Sequence, residues 1–234
     1  MLNPLYYPLQ EGAVAMGLVP ATQEREASGL AKRLGRWSGK MGAVKPVVLI
    51  LAGGKGLRLG RGKAGVLLEG ETLLGRAVRL LRPLGEVWVV GDGRPLPLLP
   101  GVRMVADILP GKGPLGALYT GLLLSPSPYA LALACDMPFI RPELLGYLLS
   151  LAPGYDAVVP RVGELLEPLH AVYSRTCLPV LRDLLRQGKL SLLEVFTRVK
   201  VRYVEGREMG DTLPFFNINT PQDLEKAQTL LKET

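Results

Sequence analysis

The sequence predicts an α/β domain built on a mainly parallel sheet covered on both faces by helices. From Val47 onward, short β-rich runs alternate with amphipathic stretches of helical period, and several of those stretches open on a proline. No apolar run approaches the ~18 to 20 residues that span a bilayer. In order, strands are expected over 47–52, 86–90, 102–106, 129–134 and 156–160, with helices over 72–81, 114–124 and 142–149. Pro114 and Pro142 suit the first helical position, where a missing N–H costs nothing. Two further strands are expected over 166–173 and 201–205. The run Thr220-Pro221-Gln222-Asp223 reads as an N-cap, a first-turn proline and a capping acid before a helix to about Leu231.

Composition narrows the chemistry. The 234 residues carry 28 Lys and Arg against 21 Asp and Glu, a net charge of +7, with two Cys and one His. A chain this long buries roughly 70% of its extended surface, so it needs no structural metal or cross-link. Cys135, Cys177 and the lone His170 exclude a disulfide framework, four-ligand zinc, paired-His metal sites and c-type haem. Any metal is therefore expected on oxygen. Residues 1–45 hold six basic and three acidic side chains and no sustained period, and read as an extension without a secretory signal; Met41 is the expected true start, with Met16 the alternative. Residues 46–234 keep 22 basic and 18 acidic residues, a net +4, and form the expected domain of a cytoplasmic protein. With only 6% aromatic residues and no long basic stripe, nucleic-acid binding is discounted, as is a membrane partner.

The positive charge concentrates directly after the first strand. Residues 53–63 hold five glycines and four cations, Lys55, Arg58, Arg61 and Lys63, with no acid. Glycines let backbone N–H groups approach an anion closely, and four cations match a triphosphate whose charge is near −4. A Walker A loop would need Gly where Leu57 stands and Ser or Thr where Ala64 stands, so that reading fails. A dinucleotide fingerprint matches at Gly60, Gly62 and Gly65, but it leads into the strand-like Val66-Leu67-Leu68 and is taken as chance.

Ligands of an open α/β sheet bind beyond the carboxyl ends of its strands. Asp107 and Asp136 stand at two such ends, and both are expected to hold the Mg²⁺ that accompanies a nucleoside triphosphate. Between them, Gly113-Pro114-Leu115 opens a helix whose free N–H groups suit a phosphate or a base carbonyl. Two of only three asparagines, Asn217 and Asn219, alternate on one face of an expected strand, suited to substrate hydroxyls or metal-bound water. His170 and Arg161 are weaker candidates for an acceptor pocket.

The loop beginning Leu51-Ala52-Gly53-Gly54 with its Lys63, the Gly113-Pro114-Leu115 turn, Ala134-Cys135-Asp136-Met137-Pro138-Phe139 and Asn217-Ile218-Asn219-Thr220-Pro221 together resemble the molybdenum cofactor guanylyltransferases, in the right order over about residues 47–232. The resemblance implies a Rossmann-like three-layer αβα nucleotidyltransferase fold and transfer of GMP from GTP to molybdenum-molybdopterin, with release of pyrophosphate. It implies that Leu51, Ala52, Gly53 and Gly54 contact GTP and that Lys63 binds its phosphates. Gly91 is placed near the base, Asp107 on the nucleotide and Asp136 on Mg²⁺. Asn217 and Asn219, with Gly113 and His170, then belong to the acceptor pocket. Three positions depart from the family pattern: Gly56 for a usual Ser, Gly62 for a usual Asp, and Gly91 for an Asn of some members, with Asp92 a possible substitute contact.

The expected chemistry needs no general base, because the second pKa of a phosphate monoester, near ~6, leaves the attacking oxygen ionised. Lys63, Arg58 and Asp136 are expected to carry catalysis by alignment and charge stabilisation. The rival readings are a cytidylyltransferase of the same superfamily, where Ala-Ala-Gly tends to replace the Ala52-Gly53-Gly54 of this loop, and a guanine-nucleotide-binding regulator without chemistry. Other cofactor-assembly proteins are the expected partners.

Overall fold

The structure, a computed structural model, describes residues 45–52, 63–91 and 99–233. The expected extension over 1–45 therefore lies almost wholly outside the described residues. Ten strands and seven α-helices are described: β1 (Val47–Leu51), β2 (Leu67–Leu68), β3 (Glu71–Thr72), α1 (Leu73–Leu81), β4 (Glu86–Gly91), β5 (Arg103–Ala106), α2 (Gly113–Leu124), β6 (Tyr129–Ala134), α3 (Pro142–Ser150), β7 (Ala157–Val162), β8 (Leu165–Leu166), β9 (His170–Ser174), α4 (Leu178–Arg186), α5 (Leu193–Phe196), β10 (Val201–Glu205), α6 (Gly206–Met209) and α7 (Pro221–Lys232). Among the described residues, no helix is long and apolar enough to cross a membrane.

The main sheet runs β10-β7-β9-β6-β1-β4-β5, with β8 added to β7, and β2 and β3 form a separate two-stranded ribbon. β1 pairs in parallel with both β4 and β6, and β4 with β5. β9 runs against both β6 and β7, which therefore share one direction, and β10 follows β7 in parallel. Six strands thus end on one edge.

Alternation along β1 sorts the core into two layers. Val48 and Ile50 pack with Leu74, Val78 and Leu81 of α1 and Leu145 and Leu148 of α3 on one face. Val47, Leu49 and Leu51 pack with Leu115, Leu118 and Leu122 of α2 and Leu181 and Leu184 of α4 on the other. The mainly parallel sheet covered on both faces follows the alternating pattern, and the three-layer αβα sandwich it builds is the Rossmann-like fold that the family resemblance implied. Gly121 lets α2 press onto β1, since a Cβ there would lie 2.5 Å from Leu49 Cδ1.

Two expectations require correction. The strand expected over 166–173 is broken, because Pro168 has no N–H to give a ladder. Instead the Glu167 amide donates to the Pro160 carbonyl at 3.0 Å, the His170 amide to the Glu167 carbonyl at 3.2 Å, and β9 starts afresh at His170. Residues 216–219 form no strand either; a 3-10 turn over Leu213–Phe215 precedes them and they run as irregular chain into α7. The stretch after Ala64 does contain the short strand β2, which agrees with reading the dinucleotide fingerprint as chance.

Candidate active site

Four parallel strands deliver their carboxyl ends side by side in the order β6, β1, β4, β5. Leu51 stands opposite Ala134 on one side and Val90 on the other, and Gly91 stands opposite Ala106. The Ala52 amide donates to the Val90 carbonyl at 2.9 Å and the Asp107 amide to the Gly91 carbonyl at 2.8 Å, so the ladder persists to the point where each chain leaves the sheet. Leu51, Ala52, Gly91, Asp107 and Asp136 consequently share one edge. Gly53, Gly54 and Arg58 lie outside the described residues; Lys63 re-enters at the head of a 3-10 turn over Lys63–Gly65.

Asp136 is 6% exposed, in a loop that three other elements hold down. The Ile218 amide donates to the Asp136 carbonyl at 2.9 Å. Arg76 of α1 donates its Nε–H to the Pro138 carbonyl at 2.8 Å, and Met137 Sδ sits 3.4 Å from His170 Nδ1. Phe139 and Ile218 join Val66, Leu68 and Ala227 in a third apolar cluster that ties the loop to β2 and α7. Among the described residues no group of three or more His, Cys, Asp or Glu is arranged to hold a metal. Mg²⁺ is usually bound by one or two carboxylates with phosphate and water completing its shell, so Asp136 is of the right chemical type to hold it.

Asp107 and Asp136 do not stand side by side, as the expectation of one shared Mg²⁺ would require. β5 and β6 are separated by β1 and β4, three strand spacings or about 14 Å. Two short carboxylates that must each approach one ion to ~2.1 Å cannot bridge that gap. The Asp107 carboxylate is instead organised locally: Oδ1 accepts the Thr120 hydroxyl at 2.7 Å and the Leu109 amide at 2.9 Å.

The four residues expected to line an acceptor pocket separate. Asn217 and Asn219 flank Ile218 and so adjoin the Asp136 loop; Asn217 donates its side-chain amide to the Phe215 carbonyl at 3.1 Å. The Asn219 and Thr220 amides both donate to Asp223 Oδ2, and Thr220 Oγ1 accepts the Asp223 amide, so the expected cap forms at the head of α7. Gly113 opens α2 with φ +64 and belongs to the Asp107 side. His170 is completely buried, its ring edge-to-face with Phe215 at 5.0 Å, so it lines no open pocket. Burial lowers its pKa to about 3, and Nε2 has no hydrogen-bond partner among the described residues. Arg161 is committed to Glu205 at 2.6 Å, a bond that holds its guanidinium above the usual value, and stacks over Tyr203.

Sequence reasoning missed Arg76 and Thr120. Both lie on helices without a motif of their own, and their roles emerge only from the segments packed beside them.

A family model described as the MobA-like NTP transferase domain matches residues 48–201. The chain belongs to this family. It is a nucleotidyltransferase. Over 191 residues it is 37% identical to the probable molybdenum cofactor guanylyltransferase of Pelotomaculum thermopropionicum, covering 80% of this chain and 93% of that one. The Methanosarcina mazei protein of the same description is 38% identical over 203 residues, covering 79% and 91%. Among solved structures, the molybdopterin-guanine dinucleotide biosynthesis protein A of Archaeoglobus fulgidus superposes with a TM-score of 0.69 at 27% identity, over 80% of this chain and all of that one. The 2-C-methyl-D-erythritol 4-phosphate cytidylyltransferase of Thermus thermophilus shares the fold, with a TM-score of 0.62 at 21% identity over 81% and 100% of the two chains. Within this MobA-like transferase the matched segment includes all of β1 but its first residue, together with Asp107 and Asp136, and stops short of Asn217.

Proposed function

We propose that the enzyme transfers GMP from GTP to molybdenum-molybdopterin, yielding molybdopterin guanine dinucleotide and pyrophosphate. The observation that carries this reading is the shared edge: the root of the cationic glycine loop at Ala52, the Asp136 loop and the asparagine segment meet through strand register and the Ile218 to Asp136 hydrogen bond. The names borne by relatives above 30% identity favour guanine and molybdopterin over the other pairs this fold serves.

In this reading the triphosphate lies across the strand ends, its phosphates toward β1 and β6 and its nucleoside toward β4 and β5. Leu51, Ala52, Gly53 and Gly54 place backbone groups along the nucleotide, and Lys63 and Arg58 draw charge off the departing pyrophosphate. Asp136 would hold Mg²⁺, whose chemistry when bound is to neutralise phosphate oxygens and orient the leaving group. Asn217 and Asn219 orient the pterin, bringing its terminal phosphate oxygen in line with the α-phosphorus. A bond forms from that oxygen to phosphorus as the bond to pyrophosphate breaks. No side chain takes a proton, which agrees with a single histidine that is buried and neutral. The reaction runs in the cytoplasm, and the oxidation-prone product passes to other cofactor-assembly proteins.

The test is pyrophosphate release with molybdopterin and Mg²⁺, comparing GTP with CTP, ATP and UTP. Release with GTP alone is expected. Release with CTP alone transfers the assignment to a cytidylyltransferase, and GTP binding without release in any arm assigns a regulator.

A further inference from the structure

We propose that Thr120 is a positioning residue for nucleotide recognition: its buried hydroxyl orients Asp107 so that one carboxylate oxygen stays presented to hydrogen-bond donors on the nucleoside. The proposal rests on the GTP reading above. Thr120 is completely buried two turns into α2 and has no exposed atom with which to touch a substrate. Its oxygen accepts the Ile108 amide at 3.3 Å and donates to Asp107 Oδ1 at 2.7 Å. A hydroxyl has one proton. With its acceptor side occupied by Ile108, that proton is committed to Asp107, and the Leu109 amide adds a second donor to the same oxygen at 2.9 Å.

Asp107 Oδ2 accepts from no described residue. A carboxylate offers about four lone-pair sites, so Thr120 and Leu109 use half of them and leave the other half to one side. That side is kept clear by Gly116: a Cβ there would stand 3.5 Å from Asp107 Oδ2 and only 2.8 Å from Lys112 Cβ and 3.1 Å from the Leu109 carbonyl. The contact to the oxygen would be an ordinary one, but the other two are too close, so any larger residue would displace the turn that presents the carboxylate. Standing about 14 Å from the Asp136 strand, Oδ2 is placed for the nucleoside rather than for the phosphates. An acceptor-only group there selects donors, which on GTP are the ribose hydroxyls and the guanine N–H groups.

The experiment measures Mg²⁺-dependent binding of GTP and of inorganic tripolyphosphate to the full chain by calorimetry. It compares wild type with Thr120→Val, Thr120→Ser, Asp107→Ala and the Thr120→Val/Asp107→Ala double variant. Thr120→Val is expected to weaken GTP about tenfold, the scale of one hydrogen bond to a charged group, while leaving tripolyphosphate unchanged. Thr120→Ser should restore GTP binding, and the double variant should bind no worse than Asp107→Ala alone. Inosine triphosphate and 2′-deoxy-GTP arms tell base from sugar: the analogue that lacks the recognised donor is insensitive to Thr120→Val. Thr120→Ala replaces the valine variant if the latter does not fold. Unchanged GTP affinity, parallel loss of tripolyphosphate, or losses that multiply in the double variant would each overturn the proposal. Wild-type protein that binds neither ligand overturns the GTP reading itself.

Discussion

The Ile218 amide donates to the Asp136 carbonyl at 2.9 Å, joining the segment before the last helix to the loop that follows the central strand β6. The bond is backbone to backbone, so it sets the distance between the two segments whatever their side chains do. A second link runs parallel to it: the Phe215 ring packs on His170, and His170 on Met137. The Asn217–Asn219 segment and the Asp136 loop are therefore held together by two routes.

The anchor for that segment is the cap of α7. Thr220→Ala removes the acceptor for the Asp223 amide and is expected to cost about 1 kcal/mol. That lowers the thermal midpoint by about 2–4 °C for a chain of this size, read by calorimetry. Asp223 adds a pH signature. The Asn219 and Thr220 amides hold its carboxyl below the ordinary value of 3.8, so its contribution is fully present above that pH and is lost as pH falls through the lower folded value. Asp223→Asn should therefore differ from wild type in stability at pH 7 and converge with it in strong acid.

His170 acts in the same sense over a higher pH range, because it is its neutral form that the fold favours. Burial lowers its pKa from 6.5 to about 3, so below pH 6.5 the unfolded chain takes up a proton that the folded one refuses. Stability should fall by about 2 kcal/mol between pH 7 and pH 5 from this group alone. Urea denaturation of wild type and His170→Gln at the two pH values checks it; the variant is expected to lose most of that slope.

Arg76→Met removes the donor to the Pro138 carbonyl. Arg76 is half-buried, and burial pulls its guanidinium below the ordinary value, so its hydrogen bonds stand partly screened from water. A loss of about 1–3 kcal/mol is expected in urea denaturation. Turnover should fall further than in Thr220→Ala, because the bond is made to the acid loop itself.

Asp136→Asn keeps the shape of the side chain and removes its charge. GTP should bind weakly in the presence of Mg²⁺, and steady-state turnover should fall below a tenth of wild type. A variant that keeps more than that has lost under ~1.4 kcal/mol of barrier, too little for the group that holds the ion.

The strand ends were legible because they combine a β-rich run with a polar stop: Val47–Leu51 ends at the glycine loop, Tyr129–Ala134 runs into Asp136, and both match their expected bounds to within a residue. The capping box before α7 was legible for the same local reason. What was not legible depends on strand order, which neither composition nor periodicity encodes. Asp107 and Asp136 each follow a strand end along the chain, yet β1 and β4 insert between their two strands and set them apart. Pro168 within an apolar run was visible, but its power to split one expected strand into β8 and β9 becomes clear only with β7 alongside to accept the turn. Thr120 carried no signal, since a threonine amid Leu115, Leu118 and Leu122 reads as helix filler until Asp107 is seen against it.

The central claim is tested most directly by a crystal structure of the protein with GTP and Mg²⁺. The account predicts phosphates over the β1 end beside Lys63, the metal on Asp136, and the nucleoside within hydrogen-bond reach of Asp107 Oδ2. A nucleotide bound at the opposite edge of the sheet, or a metal held away from Asp136, would contradict it.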